Sequence, residues 1–113
     1  MASIWPDDVA EILSKGVPLS RLGVNNWALG RTEAIEAIDR LAGIGVGVLG
    51  GDVYRWEGDT PVPTYDNWYC EPASHEAKSA FVERSARVAR QYIGSYEEAT
   101  GQESFVIVPD VSS

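Results

Sequence analysis

The sequence predicts an α+β fold, a single two-layer domain over residues 1–113 whose helices pack on a small, mostly antiparallel sheet. Three observations lead there. With 113 residues, 44% of them hydrophobic, the chain can bury one core but not two independent ones. Segments with apolar residues at helical spacing interleave with short apolar or alternating runs. Glycines, prolines and small polar clusters mark the boundaries, and no period repeats along the chain. The expected order is helix, strand, helix, three strands, helix, strand.

Asp7 and Asp8 follow Pro6 and open a helical pattern through Val9, Ile12 and Leu13; Gly16 stops it, with Pro18 just beyond. Carboxylates in a first turn complement the helix dipole. Asn25 to Leu29 reads as a short strand or an extended entry. Thr32 is the expected N-cap of a second helix, with Glu33 in its first turn. Ile35, Ile38, Leu41 and Ala42 recur there at helical spacing, and Gly43 or Gly45 ends it. Val46 to Gly50 is apolar and glycine-bounded, as a buried strand would be, and Gly50 and Gly51 suit a bulge or bend.

From Asp52 to Gly58 the pattern alternates, with Val53, Arg55 and Glu57 on one side and Asp52, Tyr54 and Trp56 on the other. Glu57 to Thr60 makes a turn, and the span from Thr64 to Cys70 runs back as a further strand. Pro61 and Pro63 delay its pairing and suit an edge or loop position. A long helix starts at Ser74, with Ala77, Phe81, Val88, Tyr92 and Tyr96 as its apolar stripe and Arg84, Arg87 and Arg90 opposite. Gly94 weakens its last turns, Gly101 closes it, and SFVIVPD supplies a final buried strand ended by Pro109.

Composition narrows the function classes. Formal net charge is −8 and the sequence pI about 4.5, which argues against nucleic acid or an anionic membrane as partner. The segment from Ser74 to Ile93 carries a local excess of +2, which leaves −10 for the remainder. That distribution favours rapid association with a cationic protein. The opening MASIWPDDVAEIL lacks a basic n-region, so no secretory signal is expected. No apolar run approaches the roughly 20 residues that span a bilayer. A lone cysteine, Cys70, suits a reducing compartment, and a cytoplasmic location is expected.

Catalytic chemistry finds little support. Cys70 and His75 lie five residues apart, but a small packed thiol and a solvated histidine explain both. One cysteine and one histidine serve zinc poorly, and GIGVGVLGGD lacks the lysine of a phosphate-binding loop. No catalytic residue, metal or cofactor is expected.

The stretch from Gly50 to Glu71 is different: it holds five aromatics and five carboxylates against one cation, Arg55. An alternating strand in a two-layer domain cannot hide both faces. Tyr65, Asn67 and Tyr69 face one way, and Asp66, Trp68 and Cys70 the other. The residues alone leave open which set is buried. Tryptophan and tyrosine beside aspartate and glutamate compose an interface for a cationic partner. The candidate partner-binding residues are Asp52, Tyr54, Trp56, Asp59, Tyr65, Asp66, Trp68 and Glu71. Two other readings use the same chemistry. Clustered carboxylates and aromatics could line a small-molecule pocket, with a carbohydrate as ligand or substrate. The Arg84, Arg87 and Arg90 stripe could meet the acidic region of a second copy, giving a homodimer.

GVNNWAL (Gly23 to Leu29), LGGDVY (Leu49 to Tyr54) and PTYDNWYCE (Pro63 to Glu71) resemble immunity protein family 40 of bacterial polymorphic toxin systems. The Phe81-containing helix and the FVIV strand fit its layout, so the resemblance runs from Leu13 to Val108. It implies a small cytosolic α+β protein that neutralises a cognate toxin by binding, without catalytic residues of its own.

Overall fold

In a computed structural model that describes residues 5–98 and 100–111, the first helix forms where proline and two acids predict it. Helix α1 (Asp7–Leu13) has Pro6 at its N-cap and buries Val9, Ile12 and Leu13. Strands β1 (Val17–Pro18) and β2 (Trp27–Ala28) then form a small antiparallel ribbon. The expected strand at Asn25–Leu29 is thus two residues long, continued by reciprocal backbone hydrogen bonds between Leu29 and Phe105. Buried Asn26 fixes this segment: its Nδ2 donates to the Ile107 carbonyl at 2.7 Å, and its Oδ1 accepts from the Trp27 amide.

Helix α2 (Arg31–Gly43) begins two residues before the expected position, with Gly30 rather than Thr32 at the N-cap. Arg31 leads it for a tertiary reason. Its guanidinium donates to the carbonyls of Ile93, Gly94 and Tyr96, and pairs with Glu98 at 2.9 Å. Those carbonyls end the third helix, where backbone acceptors lack intrahelical partners. The buried face of α2 is Ala34, Ala37, Ile38 and Leu41.

Two of the expected strands are one. Strand β3 (Val48–Glu57) runs unbroken through Gly50 and Gly51, with a register shift against its neighbour between Val48 and Gly50. A two-residue turn, with Gly58 at φ 65°, leads into β4 (Thr60–Tyr69). Positive φ at that point is the geometry a tight hairpin demands. Pro61 and Pro63 do not delay pairing; they stand opposite Trp56 and Tyr54 on what is, as expected, an edge strand.

Helix α3 (Lys78–Ser95) starts four residues after Ser74, with Ala77 at the N-cap. His75 is exposed and adopts φ 65° in the preceding turn, and Glu76 accepts from the Ala73 amide. Strand β5 (Glu103–Pro109) closes a three-stranded antiparallel sheet in the order β4-β3-β5.

One face of this sheet presents Val53, Trp68, Phe105 and Ile107 to the buried faces of all three helices, forming the main core. The other carries Val106 against Leu19 and Ala28, with Tyr54 and Trp56 packed beside them. The α+β, helices-on-sheet architecture is the one the sequence predicts. The expected span of 1–113 includes residues 1–4, 99, 112 and 113, which lie outside the described residues.

Candidate functional site

The β3–β4 hairpin carries all but one of the candidate partner-binding residues; Glu71 follows two residues after its end. Its geometry is set by an irregularity. Asp52 pairs with Asn67 and Tyr54 with Pro63, so Val53 alone faces Thr64, Tyr65 and Asp66. Thr64 braces this bulge: its hydroxyl donates to the Val53 carbonyl at 2.9 Å and accepts from the Asp66 amide at 3.1 Å. Asn67 donates to the Tyr65 carbonyl, and the Tyr96 hydroxyl donates to Asp66 Oδ2 at 2.6 Å. Held at both ends, Tyr65 takes φ 69° and stands 86% exposed. A tyrosine in the left-handed region is strained, and such strain persists only where its surroundings enforce it.

Around the bulge lies a shallow cleft of about 200 Å³ lined by Asp52, Tyr54, Pro63, Tyr65, Asp66 and Asn67. Four of the eight candidate residues therefore meet at one place. Asp52 is exposed, and among the described residues its carboxylate has no ion-pair partner. Tyr54 is half-buried, and burial first, then the charge of Asp52, pushes its phenol upward from the usual value. Arg55 is engaged by Glu57 at 3.0 Å.

The other four candidates are dispersed. Trp56 is half-buried on the face beside Val106, its indole N–H donating to Ser104 Oγ at 2.8 Å. Asp59 is exposed at the hairpin turn, where its carbonyl accepts from the Arg21 guanidinium. Glu71 is exposed past the far end of β4, its carbonyl accepting from Arg84 at 2.6 Å. By the rise of an extended strand, Asp59 and Glu71 are on the order of 30 Å apart. They cannot act on one atom.

Trp68 lies beneath the face rather than on it. It is 7% exposed, stacks on Tyr92 with centroids 4.8 Å apart, and has its indole N–H buried without a hydrogen-bond partner. Its ring occupies the space above Gly51, where a β-carbon would stand 2.6 Å from Cζ3. The alternation after Asp66 resolves accordingly: Trp68 and Cys70 are buried, while Asn67 and Tyr69 are exposed, Tyr69 by 77%. Tyr69 and Asn67 belong to the exposed face and were not among the candidates. Period-two alternation places both there once one side is known to be core.

The arginine stripe of α3 is divided. Arg84 binds Glu76 at 2.8 Å, contacts the Cys70 thiol at 3.2 Å and lies 5.5 Å from the Phe81 ring centre. Those bonds, chiefly from Arg84 and then from the Ala73 amide, hold Glu76 down at about 2. Arg90 pairs with Asp39 at 2.9 Å, and Arg87 is exposed. A larger groove of about 680 Å³ runs between α2 and α3, lined by Ala42, Ile44, Lys78, Val82, Ala86 and Arg90 among others, and none of the hairpin acids reach it. Among the described residues, no group of three or more histidine, cysteine, aspartate or glutamate side chains could hold a metal ion, and no helix is long and apolar enough to cross a membrane.

A family model described as Immunity protein 40 matches residues 18–109, the span from β1 to the end of β5. No curated protein and no solved structure matches the chain.

Proposed function

We propose that this chain, which belongs to the Immunity protein 40 family, neutralises its toxin by occluding a cationic surface with the outer side of the β3–β4 hairpin. Family membership implies a non-enzymatic inhibitor with a toxin as partner. The observation that carries the finer reading is the meeting of Asp52, Tyr54, Tyr65 and Asp66 around one cleft, with Tyr65 and Tyr69 exposed beside it. Large rings standing in water cost free energy unless a partner covers them, and the enforced backbone at Tyr65 sets the direction in which that side chain leaves the strand before binding. Toxins that act on nucleic acids need lysine and arginine to hold phosphates, so an anionic inhibitor can occupy the surface their substrate uses. On this reading the partner belongs to a polymorphic toxin system and the chain acts in the cytoplasm.

Each group has a distinct role. Tyr65, Tyr69 and the rim of Tyr54 and Trp56 supply contact area, and Asp52, Asp66, Asp59 and Glu71 supply attraction and charge-assisted hydrogen bonds. Trp68 supports the face from below. The carbohydrate alternative needs rings and acids around one pocket. The hairpin cleft is smaller than the about 300–1,000 Å³ of small-molecule sites, and the groove of about 680 Å³ is lined by no aromatic ring and by a single carboxylate, Glu83.

The test is capture of the toxin domain encoded beside this chain, measured from low to high salt. Binding that is tightest at low salt and weakens as ions screen the face is the expected result. Failure of capture at low salt overturns the proposal.

A further inference from the structure

We infer that the cleft at the β4 bulge receives a single arginine side chain of the partner, a reading that rests on the docking proposal above. Size is the first argument. At about 200 Å³ the cleft lies below the about 300–1,000 Å³ of small-molecule and cofactor sites, yet above the roughly 150 Å³ that admits one benzene-sized ring. One side-chain head and its stem fill that space.

Chemistry is the second. Asp52 comes from β3 and Asp66 from β4, so two carboxylates approach the cleft from different strands. Asp66 gives Oδ2 to the Tyr96 hydroxyl, which orients the group and leaves Oδ1 facing no donor among the described residues. Tyr54 and Tyr65 add aromatic surface, and Pro63 adds apolar surface for a methylene stem. Carboxylates accept the forked N–H groups of a guanidinium, and aromatic faces stack on its plane. An ammonium is compact and strongly hydrated and uses neither feature fully.

Charge complementarity selects the occupant. The stretch from Gly50 to Glu71 contains five carboxylates and one cation, Arg55, which Glu57 engages; Arg21 and Arg84 reach it only at the carbonyls of Asp59 and Glu71 and the Cys70 thiol, away from the cleft. Among the described residues no guanidinium pairs with the exposed Asp52, which leaves its carboxylate open to one from the partner. Tyr96 then serves as a positioning residue, acting on the cleft through Asp66.

The experiment titrates the full chain with N-acetyl-arginine amide and, separately, N-acetyl-lysine amide at low salt, following backbone amide resonances. Saturable shifts confined to Asp52, Tyr54, Tyr65 and Asn67 are expected with the arginine compound, at about 1–10 mM as befits so few contacting atoms. The lysine compound, and the near-isosteric Asp52→Asn variant, should bind at least about fivefold more weakly. No saturable shift, equal response to both compounds, or shifts scattered over remote acids would overturn the inference. Toxin capture separates this from the docking proposal. Capture that is undiminished in Asp52→Asn but lost in Tyr65→Ala sinks the arginine cleft alone, whereas wild-type chain that captures nothing sinks the docking proposal.

Discussion

The Tyr96 hydroxyl donates to the Asp66 carboxylate at 2.6 Å, tying the C-cap of α3 to the bulge in an edge strand. Tyr96 also stacks on Tyr92 and meets Phe105 edge-on, so its ring is anchored in the core while its oxygen governs the exposed face. This contact joins core packing to the candidate site, as do the Thr64 bond to the Val53 carbonyl and the Trp68 ring beneath the face.

Tyr96→Phe keeps the ring and removes the bond. The expected cost is about 1 kcal/mol, since one partner is solvent-exposed. Burial first, and then the Asp66 bond, push the Tyr96 phenol from 10.0 up to about 12. Folding favours the protonated phenol, so this contribution is full below the unfolded value and is lost as pH rises through the 10–12 window. Urea midpoints between pH 9 and 12 should fall less steeply for the variant than for wild type.

Gly51→Ala places a methyl group against the Trp68 ring and the Val106 carbonyl oxygen. Neither can retreat without opening the sheet, so a loss of about 3 kcal/mol or failure to fold is expected. Gly94→Ala, with nothing within 4 Å of the added carbon, should instead stabilise α3 by about 0.5–1 kcal/mol. Chemical denaturation of the two variants separates tight packing from simple helix propensity.

Trp68→Ala should cost about 3–5 kcal/mol as a core truncation. Trp68→Phe should cost markedly less, because it deletes an indole N–H that is buried without a partner while keeping a ring against Tyr92. Equal losses in the two variants would mean that ring stacking contributes little.

Acid exposes the Arg84 clamp. Glu76 is held at about 2, below its usual 4.5, chiefly by hydrogen bonds from Arg84. Its contribution to stability is complete above the unfolded value and disappears as pH falls from 4.5 toward 2. Thermal midpoints of wild type and Glu76→Gln should therefore converge at the acid end of that range.

The legible parts of this fold were those coded locally. Pro6 with two acids, the spacing of Ile38 and Leu41, and the Gly58 turn each determine structure within a few residues. Tertiary contacts decided the rest. Nothing near Arg31 in sequence shows that it caps α3 across sixty residues, and nothing near Lys78 shows that Glu76 will clamp Arg84 and delay the helix. At the site, the density of rings and acids was evident, but its division was not. Trp68 is buried because Gly51 on the next strand leaves room for it, a fact no spacing along one strand reveals. The bulge that lifts Tyr65 has a sequence signal in Thr64, whose hydroxyl reaches the amide two residues on. The blocks that carry the family resemblance are also explained by packing: Asn26, Gly51 and Trp68 hold the sheet together beneath the exposed face.

The affinity of the neighbouring toxin domain for wild type, Tyr65→Ala and an Arg87→Ala control on α3 is the most direct test. Loss of about 30- to 700-fold in Tyr65→Ala, corresponding to about 2–4 kcal/mol, with wild-type binding in Arg87→Ala, is the expected result. Full affinity in a folded Tyr65→Ala protein, or loss confined to Arg87→Ala, would place the docking surface elsewhere on the molecule.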